Sequence, residues 1–376
     1  MPDARVYLDS ASGAPLHPLA RDAFLAALDA AYADPHRLHH SGRSARLVLD
    51  NARAATAEAL GVRADEVVFT SSGTEAVQRG LLGLVRGAGR GAGRGAGRDP
   101  RPIVHTAVEH SSVLHAASWS GAPTRAVAVD PSGRVGLDDL DPTDAAVVAC
   151  QSANQEVGTL QPVEEVADLA GDVPLFVDAC ASAGRLPLPD GWAALAASAH
   201  KWGGPAGVGV LVVRRGTRWR DPMPEDERAG RHETGFENVP AVLAAAAALQ
   251  ATVAEREAEN ARQHALVSWV RRVVAGIPQV EVVGDPEARL PHLVTFSCLY
   301  VDGEALVGEL DRLGFEVASG SACTSSSLEP SHVLAAMGAL THGNVRVSVG
   351  RETTEDDIGR FLDVLPGVVE RLRARL

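Results

Sequence analysis

The sequence predicts an α/β protein in which a large domain, built on a mostly parallel sheet covered by helices, is joined to a smaller α+β domain at the C-terminus. Three observations support this fold. The length of 376 residues is too great for one minimal core. Short valine-rich runs alternate with helical patterns, which is typical of a parallel sheet. After Pro240, a long helical stretch rich in alanine and glutamate leads to a second group of strands.

Six apolar runs of strand length mark the sheet of the large domain. They lie at residues 66–70, 103–106, 126–129, 146–149, 174–177 and 208–213. Helical patterns begin near Thr74 and near Ser111. Because such sheets bind ligands beyond the carboxyl ends of their strands, polar residues that follow these runs are candidate site residues. These are residues 70–74, His110, Asn154, Gln155 and Asp178.

The C-terminal part predicts the smaller domain. Its strands are expected at residues 294–297, 315–318 and 345–349, and helices near 302–313 and 354–376 are expected to cover them. We expect the large domain to span residues 14–255 and the small domain to span residues 256–376, completed by residues 1–13.

Composition restricts the function classes. Forty-eight acidic residues against 35 basic ones give a formal net charge of -13, which favours solubility and argues against a general nucleic-acid-binding protein. The N-terminus lacks a signal pattern, and the most apolar stretch, at 240–249, is too short to span a bilayer. We therefore expect a cytoplasmic protein without a membrane partner.

The Gly-Ala-Gly-Arg repeat at 86–98 predicts a flexible surface loop, with contact to RNA or to a partner protein as the alternative.

The four cysteines, at positions 150, 180, 298 and 323, form no Cys-x-x-Cys pair. This pattern indicates free thiols in a reducing compartment and argues against a disulfide framework or a zinc site. Cys150 and Cys298 lie in apolar runs and are expected in the core. The histidines at 36, 39 and 40 lack a clear fourth ligand, so we expect no metal site.

Lys201 and Cys323 are the most informative residues for chemistry. Lys201 stands in a lysine-poor chain, before a Gly-Gly-Pro turn that allows a ligand to approach the backbone closely. Cys323 lies in a loop of small residues that is expected to move. An amine can hold a carbonyl cofactor and a thiol can attack, so the pair indicates removal of sulfur from an amino acid.

Other residues match what pyridoxal phosphate requires, namely an acid for its ring nitrogen and donors for its phosphate. Asp178 ends a buried strand and suits a protonated ring nitrogen, with a helix cap as the alternative. Residues 71–75 follow a strand and open a helix, which predicts an anion site or an ordinary cap. His110 is placed to stack on the cofactor ring and move protons, or it is a satisfied core histidine.

The chain resembles the cysteine desulfurases of the class V aminotransferase family, within the fold type I pyridoxal-phosphate enzymes. The matching segments are Tyr7-Leu8-Asp9-Ser10-Ala11 and residues 41–43, 69–75, 109–110, 177–179, 198–207, 237–240, 319–325, 330–334, 345–348 and 350–351. The resemblance therefore covers nearly the whole chain. It implies the fold type I architecture, pyridoxal 5'-phosphate as the cofactor and a homodimer.

The resemblance also implies roles for individual residues. Lys201 binds the cofactor's aldehyde and removes the α-proton of L-cysteine, while Asp178 contacts the ring nitrogen. Cys323 attacks the substrate sulfur, which yields alanine and a persulfide that passes to a protein acceptor in iron-sulfur assembly, thio-modification or biosynthesis. Arg346 grips the substrate carboxylate beside Gln155. The remaining cofactor-binding residues are Gly73, Thr74, His110, Gln155, Ser198 and His200, and His110 is the best candidate to activate the thiol.

Three positions depart from the family pattern. Gln155 replaces the usual Asn, Ala181 replaces a Gln that bonds the cofactor's phenolic oxygen, and Phe236 replaces a Thr that reaches the phosphate from the partner subunit. We expect Gln155 to reach into the space vacated at Ala181. Two other functions stay open: a pyridoxal-phosphate lyase or aminotransferase that does not need Cys323, and a non-catalytic scaffold that binds a sulfur acceptor.

Overall fold

The computed structural model describes residues 5–89, 101–224, 236–319 and 330–374. Within these ranges the large domain contains a seven-stranded sheet. In spatial order its strands are β2 (Val67–Thr70), β8 (Gly209–Val213), β7 (Ala194–Ser198), β6 (Leu175–Asp178), β5 (Val147–Gln151), β3 (Ile103–Thr106) and β4 (Thr124–Val127). Strand β8 is antiparallel to its two neighbours and the other pairs are parallel. The predicted α/β fold with a mostly parallel sheet is confirmed.

Helices cover both faces of this sheet. They are α1 (Pro18–Ala30), α2 (His40–Leu60), α3 (Gly73–Ala88), α4 (Ser111–Trp119) and α5 (Val163–Ala170). On one face Leu81 and Leu84 of α3 share a core with Phe176 of β6. On the other face Leu49 of α2 belongs to a core that includes Val177 of the same strand. Full burial of each such side chain contributes about 1.5–3 kcal/mol, so packing on both faces stabilises the sheet that carries the site.

Strand β7 has no counterpart among the predicted strands. Its sequence is Ala-Leu-Ala-Ala-Ser, and alanine is depleted in strands. All five residues are buried between β6 and β8, so tertiary packing overrides the local preference. A second difference is the position of β4, which begins two residues before the predicted run.

The smaller sheet has the order β12 (Asn344–Ser348), β10 (Leu293–Cys298) and β9 (Val280–Val283), and all its pairs are antiparallel. Strand β9 was not predicted. The predicted strand at 315–318 is β11 (Phe315–Glu316), which pairs with β1 (Val6–Tyr7) and is not part of the three-stranded sheet. Around these strands lie α7 (Gly303–Arg312), α8 (His332–Ala336) and α9 (Glu355–Arg373).

A single long helix, α6 (Val239–Val274), connects the two cores. Its residues up to Leu249 pack in the large-domain core, and those from Leu266 pack in the core of the smaller domain. The expected boundary at residues 255 and 256 therefore lies inside α6 and stays a prediction. Among the described helices, none carries an apolar stretch long enough to cross a membrane.

Candidate active site

The carboxyl ends of β5, β6 and β7 form the floor of the site. Asp178 is the last residue of β6 and lies opposite Gln151 of β5 and Ala196 of β7. Its side chain is buried, and its Oδ1 accepts a hydrogen bond from the Cys180 amide at 2.9 Å. Among the described residues no ion pair engages this carboxylate. It therefore retains capacity for a cationic partner, which is what a protonated pyridine nitrogen supplies.

Lys201 lies three residues beyond the end of β7 and is the only lysine in the sequence. Its Nζ donates a hydrogen bond to the Ala11 carbonyl, so the N-terminal segment reaches the amine. Its side chain lines a small cavity together with Gln155, Ala181 and Arg185. Because strand β7 was missed, the sequence did not show which element positions this lysine.

The start of α3 lies against β7. A Cβ added to Gly73 would lie 2.6 Å from the Ser198 Cβ and 3.2 Å from the Cys180 Sγ, so only glycine fits there without movement of its neighbours. Ser72 caps the helix, accepting from the Glu75 amide at 3.1 Å, and Thr74 is exposed at the first turn. This helix N-terminus combines free amides with a hydroxyl, as a phosphate requires.

Ser198 and His200 form a hydrogen-bonded pair beside this helix start. The Ser198 Oγ and His200 Nδ1 are 3.0 Å apart. Burial lowers the pKa of His200 to about 4, and the nearby Lys201 charge adds to the effect. His200 is therefore neutral at physiological pH and can act as a hydrogen-bonding group there.

His110 begins α4 and also faces the site. Its Nδ1 accepts from the Ser112 amide at 3.1 Å, which assigns its hydrogen to Nε2 when the ring is neutral. Burial lowers the pKa of His110, the Asp178 carboxylate opposes that shift, and the Lys201 charge adds to it. The structure thus brings His110, Asp178 and Lys201 together, and the neutral His110 has its Nε2 hydrogen available to donate.

A buried carboxyl group lies next to His110. Glu109 is fully buried, and its Oε1 accepts from the Thr106 hydroxyl at 2.7 Å and from the Gln151 amide at 2.8 Å. Burial raises the pKa of Glu109 to about 8, despite these two hydrogen bonds. At neutral pH this group holds a proton, so it adds no negative charge beside Asp178.

Arg346 on β12 completes the site from the smaller domain. Its Nη1 donates to the Gln155 carbonyl at 2.9 Å, and its Nη2 donates to Asp9 Oδ1 at 2.9 Å and to the Ser12 hydroxyl at 2.6 Å. Among the described residues, the buried Nε of Arg346 has no hydrogen-bond partner. Arg346 is thus fixed close to Gln155, and binding of a carboxylate there is expected to draw on its unused Nε or to displace Asp9.

All three departures from the family pattern fall in described residues, and two of them lie beside the site. Ala181 and Gln155 line the same small cavity, and the expected exchange between them stays a prediction. Phe236 is 57% exposed. The neighbouring Thr234 lies outside the described residues, as do residues 320–329 with Cys323 and most of the repeat at 86–98. The roles of Cys323 and of the repeat stay predictions.

The histidines that suggested a metal have local structural contacts. His39 caps α2 by accepting from the Gly42 amide at 3.1 Å, and His36 lies 3.2 Å from Asp34. In the described parts of the chain, no cluster of three His, Cys, Asp or Glu side chains is arranged to hold a metal ion.

Three residues of the site had no role in the sequence prediction. Ser10, Arg185 and His292 line the small cavity beside Lys201. All three are buried, and the described part of the chain offers no hydrogen-bond partner to the Ser10 Oγ or the His292 Nδ1. Their positions along the chain gave no signal, because they come from three separate segments that meet only in the folded structure.

Comparison with known proteins agrees with this arrangement. The model of the aminotransferase class-V family matches residues 6–361. The chain is 34% identical to the cysteine desulfurase IscS of Dictyoglomus turgidum, over 98% of this chain and 95% of that protein. It is also 34% identical to the cysteine desulfurase NifS of Azotobacter vinelandii, over 98% of this chain and 94% of that protein. Among solved structures, a NifS-like protein superposes with a TM-score of 0.88 at 27% identity, covering 98% of this chain and all of that one.

The chain therefore belongs to the class V aminotransferase family. Within that family, its full-length relatives are cysteine desulfurases.

Proposed function

We propose that this protein is a pyridoxal-phosphate-dependent cysteine desulfurase that converts L-cysteine to L-alanine and leaves the sulfur as a persulfide on Cys323. The observation that carries the proposal is the position of the only lysine, beside Asp178 and His110 at the carboxyl ends of the strands. Full-length similarity to cysteine desulfurases supports the substrate.

The described residues fit pyridoxal phosphate. Lys201 would hold its aldehyde, and the Asp178 carboxylate, which no described cation pairs, would hold its ring nitrogen. The start of α3, at Gly73 and Thr74, would hold the phosphate with Ser198 and His200, and His110 would contact the ring. When bound, the cofactor supplies an electron sink that stabilises negative charge at the substrate's α-carbon.

Protein side chains would perform the proton and sulfur transfers. The Lys201 amine takes the α-proton, since it is positioned at the site and a neutral amine is a base. Arg346 orients the substrate through its carboxylate, beside Gln155. The Cys323 thiolate would form the bond to the substrate sulfur while the substrate's carbon–sulfur bond breaks, and the electron pair of that bond stays on the carbon that becomes the methyl group of alanine. His110 is the candidate to accept the thiol proton because burial keeps it neutral, and it would take the proton at Nδ1 by releasing the Ser112 amide.

The test is mass analysis of cysteine-treated protein together with single-turnover alanine formation. Cys323→Ser is expected to abolish the persulfide and the alanine, whereas Cys298→Ala, a control in the small-domain core, is expected to keep both. Undiminished breakdown of cysteine by Cys323→Ser would favour a lyase. Absence of any cofactor absorbance in the reconstituted protein would favour the scaffold.

A homodimer is part of the proposal. An apolar surface on α1, α2 and the segment between them supports it, with Leu19, Tyr32, Leu38 and Leu47 all more than half exposed. Exposed patches of this kind mark interaction sites, and a second copy of the chain is the expected occupant. Light scattering should give twice the chain mass, and Leu47→Glu should shift the protein toward the monomer. A wild-type protein that stays monomeric at micromolar concentration would contradict this part.

The cellular setting and the acceptor are also proposals. We place the protein in the cytoplasm because Cys150, Cys180 and Cys298 are free thiols, as a reducing compartment requires. A protein acceptor of iron-sulfur assembly, thio-modification or biosynthesis would receive the persulfide sulfur. Transfer of radiolabelled sulfur from loaded protein to candidate acceptors would identify it.

A further inference from the structure

A buried arginine lies directly behind the catalytic lysine. Arg185 follows Gly184, whose φ of 80° turns the chain, and its side chain is 8% exposed. Its Nη2 donates to the Lys201 carbonyl at 3.0 Å. Arg185 lines the same small cavity as Lys201, and it also lines the cleft along α6.

Arg185 forms no ion pair within the part of the chain that the structure describes. Within these residues, the side chain of Arg185 makes one hydrogen bond, to the Lys201 carbonyl. Burial lowers the pKa of Arg185 to about 10, and the Glu259 charge opposes that shift. By contrast, Arg346 is paired with Asp9 at 2.9 Å.

The other titratable groups around Lys201 do not replace this charge. The Lys201 charge acts on His110, His200 and His292, and burial lowers the pKa of each of these histidines, so all three are neutral. Burial raises the pKa of the Cys180 thiol well above its usual value, so that group is neutral too. Among the described groups named here, Asp178 is a carboxylate and favours a charged amine, whereas the charge of Arg185 has the same sign as a protonated Lys201.

We propose that Arg185 is a positioning residue for Lys201, which fixes the backbone of the lysine and disfavours protonation of its amine. The consequence follows from Coulomb's law, since two cations in a poorly solvated site repel each other. A neutral Lys201 is the form that can hold a carbonyl group and remove the α-proton. This role rests on the proposed function, but the charge effect itself is a property of the protein without cofactor.

The single lysine makes the effect directly measurable. Reductive methylation of the cofactor-free protein with ¹³C-formaldehyde labels Lys201 and the N-terminal amine alone, and NMR titration then follows each signal against pH. Arg185→Gln is expected to raise the pH of the Lys201 transition by about one unit, the lower end of the range for a nearby charge. Arg289→Gln, which removes a similarly buried arginine that lines neither cavity, is expected to leave it unchanged.

An unchanged Lys201 titration in folded Arg185→Gln would overturn the proposal, as would an equal rise in Arg289→Gln. If Arg185→Gln does not fold, Arg185→Met fills similar volume without a charge, and the same rise is expected of it. Failure of the proposed function would be seen separately, as a wild-type protein that binds no pyridoxal phosphate. The two failures are therefore distinguishable.

Discussion

The two sides of the active site differ in charge. On the sheet side, Asp178 is a buried carboxylate that no described cation pairs, and its neighbour Glu109 is held neutral by burial. On the side that faces the smaller domain, Arg185, Arg346 and Lys201 all lie close enough to the buried His292 to lower its pKa, and Asp9 pairs with Arg346. One side is thus suited to a cationic ring nitrogen, and the other to anionic groups such as a carboxylate. This contrast explains how a single lysine can be placed between a cofactor and an amino acid.

Removal of the lysine should have the largest effect. Lys201→Ala is expected to reduce alanine formation from cysteine by about a thousandfold or more, since a positioned base alone contributes 10²–10⁴-fold. The same variant should bind pyridoxal phosphate without a covalent link, so borohydride reduction should leave no cofactor on the protein. If borohydride fixed the cofactor of the wild-type protein to a residue other than Lys201, the assignment of Lys201 as the residue that holds the aldehyde would be wrong.

Loss of Arg346 tests the cationic side. Arg346→Ala is expected to weaken substrate capture by roughly ten- to over a hundredfold, which corresponds to a charged hydrogen-bond pair of about 1.5–3 kcal/mol. The effect should fall on the KM for cysteine more than on kcat. Arg346→Lys should recover part of it, because the charge remains while the two-pronged geometry is lost. Cysteine saturation that is unchanged in Arg346→Ala would contradict the assignment.

The pH dependence of the free energy of unfolding tests whether Glu109, on the sheet side, is neutral in the folded protein. Its folded pKa of about 8 lies above the usual value of 4.5, so the folded state keeps a proton that the unfolded chain loses. This contribution to stability is complete below pH 4.5 and is lost as the pH rises to about 8. Relative to wild type, Glu109→Gln should therefore gain stability from pH 5 to pH 8, by a few kcal/mol at about 1.4 kcal/mol per pKa unit.

Urea titrations of Glu109→Gln and wild type at the two pH values would measure this difference. Asp138→Asn, at an exposed site, serves as the control and should show little change. A stability difference between Glu109→Gln and wild type that does not vary with pH would mean that Glu109 is charged in the folded protein.

The smallest effect is expected from loss of the Gln155 side-chain amide, which is proposed to replace the amide missing at Ala181. Gln155 and Ala181 line one cavity, and if Gln155 bonds the cofactor's phenolic oxygen, Gln155→Ala should shift the absorption maximum of the bound cofactor. Activity should fall by about tenfold or less, which is the range of one neutral hydrogen bond. The double variant Gln155→Ala with Ala181→Gln should restore the maximum. An absorbance insensitive to Gln155→Ala would end this hypothesis.

The sequence predicts the sheet side of the site better than the cationic side. Asp178, His110 and the start of α3 follow valine-rich strands, so the position of each could be inferred from its strand. Strand β7 was missed because alanines form it, although Lys201 was recognised from its local turn. Arg185, His292 and Ser10 could not be found, since burial and the lack of an ion pair depend on segments that meet only after folding. The pairing of β11 with β1 was missed for the same reason.

The most direct test of the account follows the sulfur. Purified protein treated with L-cysteine should be digested and its peptides weighed, alongside Lys201→Ala treated in the same way. The account predicts one extra sulfur atom on the peptide that contains Cys323 in wild type, and none in Lys201→Ala. Extra sulfur on the peptides of Cys150, Cys180 or Cys298, or on Cys323 without Lys201, would contradict it.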